Sequence, residues 1–129
     1  MGEPDFEIDG WALDNGEERH RDAPKTFCTP SLQNRQKLQI GDYAKLIFRI
    51  SVASNDEPES FERMWVLVRE RVGNDYLGVL TNNPQTIDEN EILWDGTELP
   101  FSPCHIIDIQ VRDEDSIKAA KGLPSKSWR

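Results

Sequence analysis

The chain has 129 residues, with 24 Asp or Glu against 15 Lys or Arg, so its formal net charge at pH 7 is -9. This length suits one domain with its own core, and a mean hydropathy of -0.67 is typical of a polar globular protein rather than a membrane or fibrous one. Because an acidic surface repels phosphate backbones and anionic lipid, the composition disfavours nucleic-acid and membrane partners and favours a basic protein partner.

The N-terminus lacks the basic-then-apolar order of a signal peptide, and no apolar run approaches the roughly 18 residues of a membrane span. We therefore expect a cytoplasmic protein. Cys28 and Cys104 have neither C-x-x-C nor metal-ligand spacing, so reduced thiols are expected in that compartment.

Residues 1–22 carry eight acidic and two basic side chains, a net charge of -6. Acidic residues alternate there with apolar ones, without a clear helical period. We interpret this stretch as an acidic N-terminal arm that docks through Phe6, Ile8 and Trp11. A single domain is predicted over residues 23–111, followed by a C-terminal tail over residues 112–129.

The start of the domain has helix signals. Thr29 followed by Pro30 is typical of an N-cap with proline at the first helical position, and Gly41 is suited to a left-handed C-cap. The pattern predicts a helix over residues 31–39.

From Tyr43 the apolar period changes to two, which predicts a long strand to Val52. Residues 54–60 have loop composition, and alternation resumes from Met64 to Val72. The Gly73-Asn74-Asp75 turn then predicts an antiparallel hairpin with a strand over residues 76–81. One face of these strands should form the core through Leu46, Phe48, Ile50, Val66 and Val68.

The C-terminal third mixes turns and short elements. Asp95-Gly96 predicts a turn, Ser102-Pro103 a short helical turn, and residues 105–111 a last strand. Residues 113–122 are expected to form a short capped helix, and residues 123–129 are expected to fray. These elements predict an α+β fold, an antiparallel sheet with one N-terminal and one short C-terminal helix.

Signatures of catalysis and cofactor binding are weak. Cys104, His105 and Asp108 offer a thiol, an imidazole and a carboxylate, but neighbours on a strand point to opposite faces, so we assign no catalytic residue. The chain has two histidines, and the acidic stretch from Asp88 to Asp95 lacks calcium-loop spacing, so no metal site is predicted. No phosphate-binding loop or acyl-transfer motif is present, and no cofactor is expected.

Aromatic and amide side chains offer a candidate surface for a ligand or partner, because aromatic faces beside amides make a serviceable recognition surface. The alternative is that the aromatic residues belong to the core. The candidate residues are Trp65, Tyr76, Asn82, Asn83, Trp94 and His105.

Several segments carry a resemblance to a known family. They are Thr26-Phe27 with Pro30, Ile40-Gly41-Asp42, Lys45 to Phe48, Glu62 to Val66, Gly78 to Leu80 with Asn82 and Pro84, and His105 to Ile107. Together they resemble the bacterial YegJ-like domain of unknown function over about residues 24–109. The Met64-Trp65-Val66 strand with the Gly-x-Leu-x-Asn-x-Pro arm is the most specific part. Asp95-Gly96-Thr97 departs from the Gly-Asp turn common in similar sequences.

The resemblance implies a bacterial α+β domain on a strongly bent antiparallel sheet or small partly open barrel, with no assigned reaction. Some similar small acidic domains are immunity proteins encoded beside toxins. Two hypotheses follow for function. The first is a non-enzymatic interaction module whose acidic surface binds a basic protein, as an immunity protein does. The alternative is a small-ligand-binding domain or weak hydrolase that uses the surface of Trp65, Asn82 and His105.

Overall fold

The computed structural model describes residues 2–52 and 58–128. Its helices are α1 (Phe6–Asp9), α2 (Gly16–Asp22), α3 (Leu32–Arg35) and α4 (Glu114–Ala120). Its strands are β1 (Trp11–Leu13), β2 (Tyr43–Ser51), β3 (Glu59–Val72), β4 (Asp75–Leu80), β5 (Glu98–Phe101) and β6 (Ile106–Gln110). A 3-10 turn, Pro103–His105, connects β5 to β6.

The six strands form one antiparallel sheet in the order β1-β2-β3-β4-β5, and β6 also pairs with β2. One edge of β2 is shared: residues 43–46 pair with β6, and residues 48–50 pair with β1. The sheet curls into a half-barrel, which confirms the predicted α+β fold with its bent sheet, N-terminal helix and short C-terminal helix.

The central strands follow the period-two pattern of the sequence. The β3–β4 hairpin is confirmed, and Gly73 at its turn has a φ of 62°, the left-handed region that glycine adopts freely. Strand β3 is longer than predicted, because it pairs with β2 as far as Ser51 opposite Glu59. The predicted loop at residues 54–60 therefore ends earlier, and residues 53–57 lie outside the described part of the chain.

The predicted inner face of β2 and β3 is confirmed as the centre of the core. Its five apolar side chains are at most 1% exposed: Leu46, Phe48, Ile50, Val66 and Val68. Burying side chains of this size contributes roughly 1.5–3 kcal/mol each, so this face contributes substantially to stability.

The predicted helix over residues 31–39 is wrong in its length and its cap. Ser31 is the N-cap, its hydroxyl accepting a hydrogen bond from Asn34 N at 3.2 Å, and α3 ends at Arg35. Beyond it, Leu38 N donates to the Tyr76 hydroxyl at 3.1 Å. Tertiary hydrogen bonds thus replace the helical ones that the sequence pattern predicts.

The N-terminal segment is built into the fold. Strand β1 pairs with β2, and Trp11 is 1% exposed. Phe6 lies on the outer face of the sheet, with Arg49 Cζ 4.0 Å from its ring centroid. Ile8 is 76% exposed, so the prediction that it docks the segment is wrong.

The C-terminal segment is also ordered against the sheet. Helix α4 is the predicted short capped helix, and its cap is a capping box between Asp113 and Ser116. The predicted fraying of residues 123–129 is wrong for residues 125–128, because Lys126 forms a parallel bridge with Thr97 beside β5. Among the described residues, no helix is long and apolar enough to cross a membrane.

Candidate functional site

The backbone of Trp65 and the side chain of Asn82 are joined by a hydrogen bond. The Asn82 Oδ1 atom accepts a hydrogen bond from Trp65 N at 2.6 Å, and Lys45 Nζ lies 5.5 Å from the Trp65 ring centroid. Asn82 thereby fixes the point where β4 leaves the sheet, while Asn83 beside it is exposed. The contact gives Asn82 a structural role.

Tyr76 lies in the core rather than on a recognition surface. It is 0% exposed, and its ring stacks on Phe101 with centroids 5.2 Å apart. Its hydroxyl donates to Arg35 O at 2.7 Å and accepts from Leu38 N. A buried tyrosine with both hydrogen bonds satisfied has no group free for a ligand.

His105 is far from Asn82. In the β4–β5 pairing Tyr76 lies opposite Phe101 and Val79 opposite Glu98, so Asn82 and His105 follow opposite ends of this strand pair. Six residues of β-strand span about 20 Å. The structure therefore does not bring Trp65, Asn82 and His105 together in one site.

The neighbouring thiol and imidazole are not arranged for nucleophilic catalysis. Burial raises the pKa of the Cys104 thiol, which favours the protonated form. His105 is 8% exposed, burial lowers its pKa, and its Nδ1 atom accepts a hydrogen bond from Ser102 N at 2.9 Å. Asp108 accepts from Ile109 N instead of orienting the imidazole. These contacts hold the 3-10 turn in place.

Two adjoining cavities surround Trp11, and we call them together the Trp11 cleft. Their volumes are about 420 and 320 Å³, and Asp9, Trp11 and Ile92 line both. The first is also lined by Ile8 and Trp128. Ile8 is 76% exposed and Ile92 is 59% exposed, so the cleft presents apolar side chains to solvent. A concave, largely apolar site with a few polar groups is the usual form of a binding site.

The rim of the Trp11 cleft is strongly acidic. Residues 88–95, here called the acidic loop, contain four acidic side chains and no basic one. All four are exposed, and none forms a salt bridge within residues 2–52 and 58–128: Asp88, Glu89, Glu91 and Asp95. Asp88 and Glu89 line the smaller cavity, and Glu91 lines the larger one. The described residues contain no group of three or more side chains suited to hold a metal ion.

Residues 125–128, here called the tail segment, close one side of the cleft. Glu98 N donates to Lys126 O at 2.8 Å, so the segment extends the sheet beside β5. Trp128 packs edge-on against Trp11, and its backbone N donates to Glu98 Oε1 at 3.0 Å. The other carboxylate oxygen of Glu98 pairs with Arg69 at 2.8 Å, so this carboxylate is neutralised within the fold.

Trp94 is the predicted surface residue that lies nearest to this region. It lines a third cavity, of about 420 Å³, with Glu89, Glu91, Asp95 and Lys126. The other predicted surface residues lie elsewhere in the molecule and line neither cavity of the Trp11 cleft. The sequence pattern predicts no metal site in the acidic loop and predicts Trp11 only as a docking residue. The pairing of β1 with β2, which brings the two together, has no signal in the local pattern.

Comparisons with protein-family models, curated proteins and solved structures give no match to this chain. The YegJ-like resemblance therefore stays a prediction.

Proposed function

We propose that this protein is a non-enzymatic interaction module of the bacterial cytoplasm, which binds a basic protein partner through the acidic loop. The observation that carries the proposal is the set of four exposed carboxylates of this loop beside a cleft with exposed isoleucines. Neutralisation of a basic toxin, as by an immunity protein, would use the same surface.

Charge explains why such a surface favours association. When a carboxylate has no ion-pair partner in the fold, no neighbouring positive charge cancels its electrostatic field. That field attracts a cationic surface and raises the rate of encounter with it. Because salt screens exposed charges over about 10 Å at 0.1 M ionic strength, binding through this loop should weaken as salt increases.

The test is capture of proteins from native lysate on the immobilised chain, followed by measured binding of the captured protein at low and high salt. One variant neutralises the acidic loop: Asp88→Asn, Glu89→Gln, Glu91→Gln and Asp95→Asn. A control variant removes the same number of charges elsewhere on the surface: Glu70→Gln, Asp108→Asn, Glu114→Gln and Asp115→Asn.

Both variants have the same net charge, so they separate a local effect from a general one. We expect a basic partner whose binding is lost in the loop variant and largely retained in the control. Equal binding to both variants, or a partner that is itself acidic, would contradict the proposal.

A further inference from the structure

We propose that the Trp11 cleft receives an apolar anchor side chain from a basic, extended segment of the partner. The segment would carry an aliphatic or aromatic residue flanked by lysine or arginine. This inference rests on the proposed function and adds to it the place of contact and the chemistry of the partner segment.

The apolar walls of the cleft indicate the anchor. Ile8 and Ile92, both more than half exposed, line the larger cavity with Trp11 and Trp128. A cavity of about 420 Å³ has room for a large side chain. Covering two exposed isoleucines removes apolar surface from water, so an apolar anchor gains affinity there that a purely ionic contact does not provide.

The rim indicates the flanking residues. Glu91 lines the larger cavity and Asp88 and Glu89 the smaller one, so carboxylates border the apolar walls. The tail segment places Lys126 in the lining of the larger cavity, so the carboxylates lie on the side of the acidic loop. Cationic side chains that flank the anchor on that side would meet these carboxylates. Such an arrangement selects against acidic or neutral segments of equal hydrophobicity.

The tail segment of this chain contains the same residue types as the proposed partner segment. Its sequence Lys126-Ser127-Trp128 places a cationic residue two positions before an aromatic one, and it lies extended beside β5. Trp128 contacts Trp11 with ring centroids 5.8 Å apart. The tail segment fills one side of the cleft and leaves the side of Ile8 and Ile92 open. The fold thus already holds one basic and aromatic extended segment next to the open cavity.

Trp11 supplies a second, independent observation. Its side chain is buried, and among the described residues its indole Nε1–H is a buried polar group without a hydrogen-bond partner. A buried donor without an acceptor destabilises the protein that contains it. Trp11 lines both cavities of the cleft, so its indole N–H resonance reports a segment that binds there.

The test uses the full chain and three five-residue peptides with blocked ends. The first has leucine at the centre and lysine at the other four positions. The second replaces leucine by serine, and the third replaces the lysines by glutamate. Affinity is measured by fluorescence titration at low salt, and the indole N–H resonances are followed by NMR. We expect the leucine–lysine peptide to bind best and to shift the Trp11 indole resonance, with the Trp65 resonance unchanged.

Two matched pairs of variants locate the contact. Ile92→Ser should lower the affinity for the leucine–lysine peptide about tenfold, as expected for loss of one buried aliphatic side chain. Ile40→Ser changes an isoleucine that is 47% exposed elsewhere and should have no effect. Glu91→Gln should weaken binding, whereas Glu70→Gln on the exposed part of β3 should not.

The outcomes separate the two proposals. The anchor is overturned if the leucine and serine peptides bind equally well and Ile92→Ser has no effect. If the acidic-loop variant still abolishes binding in that case, the proposed function stands. If neither lysine peptide binds at low salt, both proposals fail. A shift of the Trp65 resonance in place of the Trp11 resonance also overturns the anchor site.

Discussion

Trp128 lies edge-on against Trp11, with ring centroids 5.8 Å apart and planes at 71°. The ring centroid of Trp11 in turn lies 5.7 Å from the ring centroid of Phe48 in the core. This ring contact adds to the hydrogen bonds that hold the tail segment beside β5, and it links the tail segment to the N-terminal segment and the core. The stability of the fold and the shape of the Trp11 cleft depend on the same contact.

Replacing Trp128 should destabilise the whole fold. We expect Trp128→Ala to lower the free energy of unfolding by about 2 kcal/mol, through lost ring contact and lost burial. Urea denaturation followed by far-UV circular dichroism measures this. Leu123→Ala changes a side chain that is 93% exposed and should leave the midpoint unchanged. Equal midpoints for Trp128→Ala and the unaltered protein would mean that the tail segment is not held in solution.

Gly96 allows the tail segment to lie close to the turn that precedes β5. Its φ is 94°, and a Cβ atom there would meet the side chain of Ser125, whose Cβ would lie 3.2 Å away. Gly96→Ala should destabilise the fold by about 2 kcal/mol or more, because backbone strain and a steric clash add. Gly73→Ala is the control, since Gly73 has a φ of 62° and open space around it. We expect a larger fall of the urea midpoint for Gly96→Ala than for Gly73→Ala, and equal falls would show that the contact with Ser125 adds nothing.

Val68 tests the core assignment. It is 0% exposed, so Val68→Asp buries a carboxylate without a partner and should cost about 3–5 kcal/mol. Val111→Asp places the same charge at a position that is 73% exposed and should be tolerated. Thermal unfolding of both variants makes the comparison. A cooperative transition of Val68→Asp at the melting temperature of the unaltered protein would refute the assignment.

Asn82 is expected to act through structure. Asn82→Ala removes the acceptor for Trp65 N and should destabilise the protein by about 1 kcal/mol. Asn83→Ala, at the exposed neighbour, should be close to neutral. Urea denaturation measures stability, and the titration with the leucine–lysine peptide measures binding. Full stability with lost binding in Asn82→Ala would show a functional role instead.

His105 makes stability depend on pH. Burial lowers its pKa in the folded protein below the usual value of 6.5, and the nearby carboxylates of Glu3 and Asp75 oppose this shift without reversing it. The unfolded chain therefore binds the proton first as pH falls. The stabilisation is present above pH 6.5 and is lost as pH decreases towards the folded pKa.

The measurement is the urea midpoint at pH 7.5 and 5.5. His105→Gln can keep an acceptor for Ser102 N but does not titrate, so its midpoint should fall less than that of the unaltered protein. An equal fall in both proteins would assign the effect to other groups.

Much of the fold follows from local pattern. Three features depend only on neighbours in sequence: the alternation that places Leu46 and Val66 inside, the Gly73 turn and the Asp113 cap. Side-chain direction in a strand and the capping of a helix are local properties. The sequence therefore determined the β2–β3–β4 meander, the short C-terminal helix and the inner face of the core. It also determined the acidity of the loop at residues 88–95.

Only the tertiary structure decided where the N-terminal segment and the tail segment lie. The burial of Trp11, the contact of Trp128 and the end of α3 at Arg35 depend on hydrogen bonds and ring contacts between residues far apart in sequence. A three-residue strand such as β1 has too little local preference to be predicted, since its stability comes from pairing with β2. The Trp11 cleft forms where such non-local contacts bring β1, the acidic loop and the tail segment together, so no local pattern in the sequence predicts it.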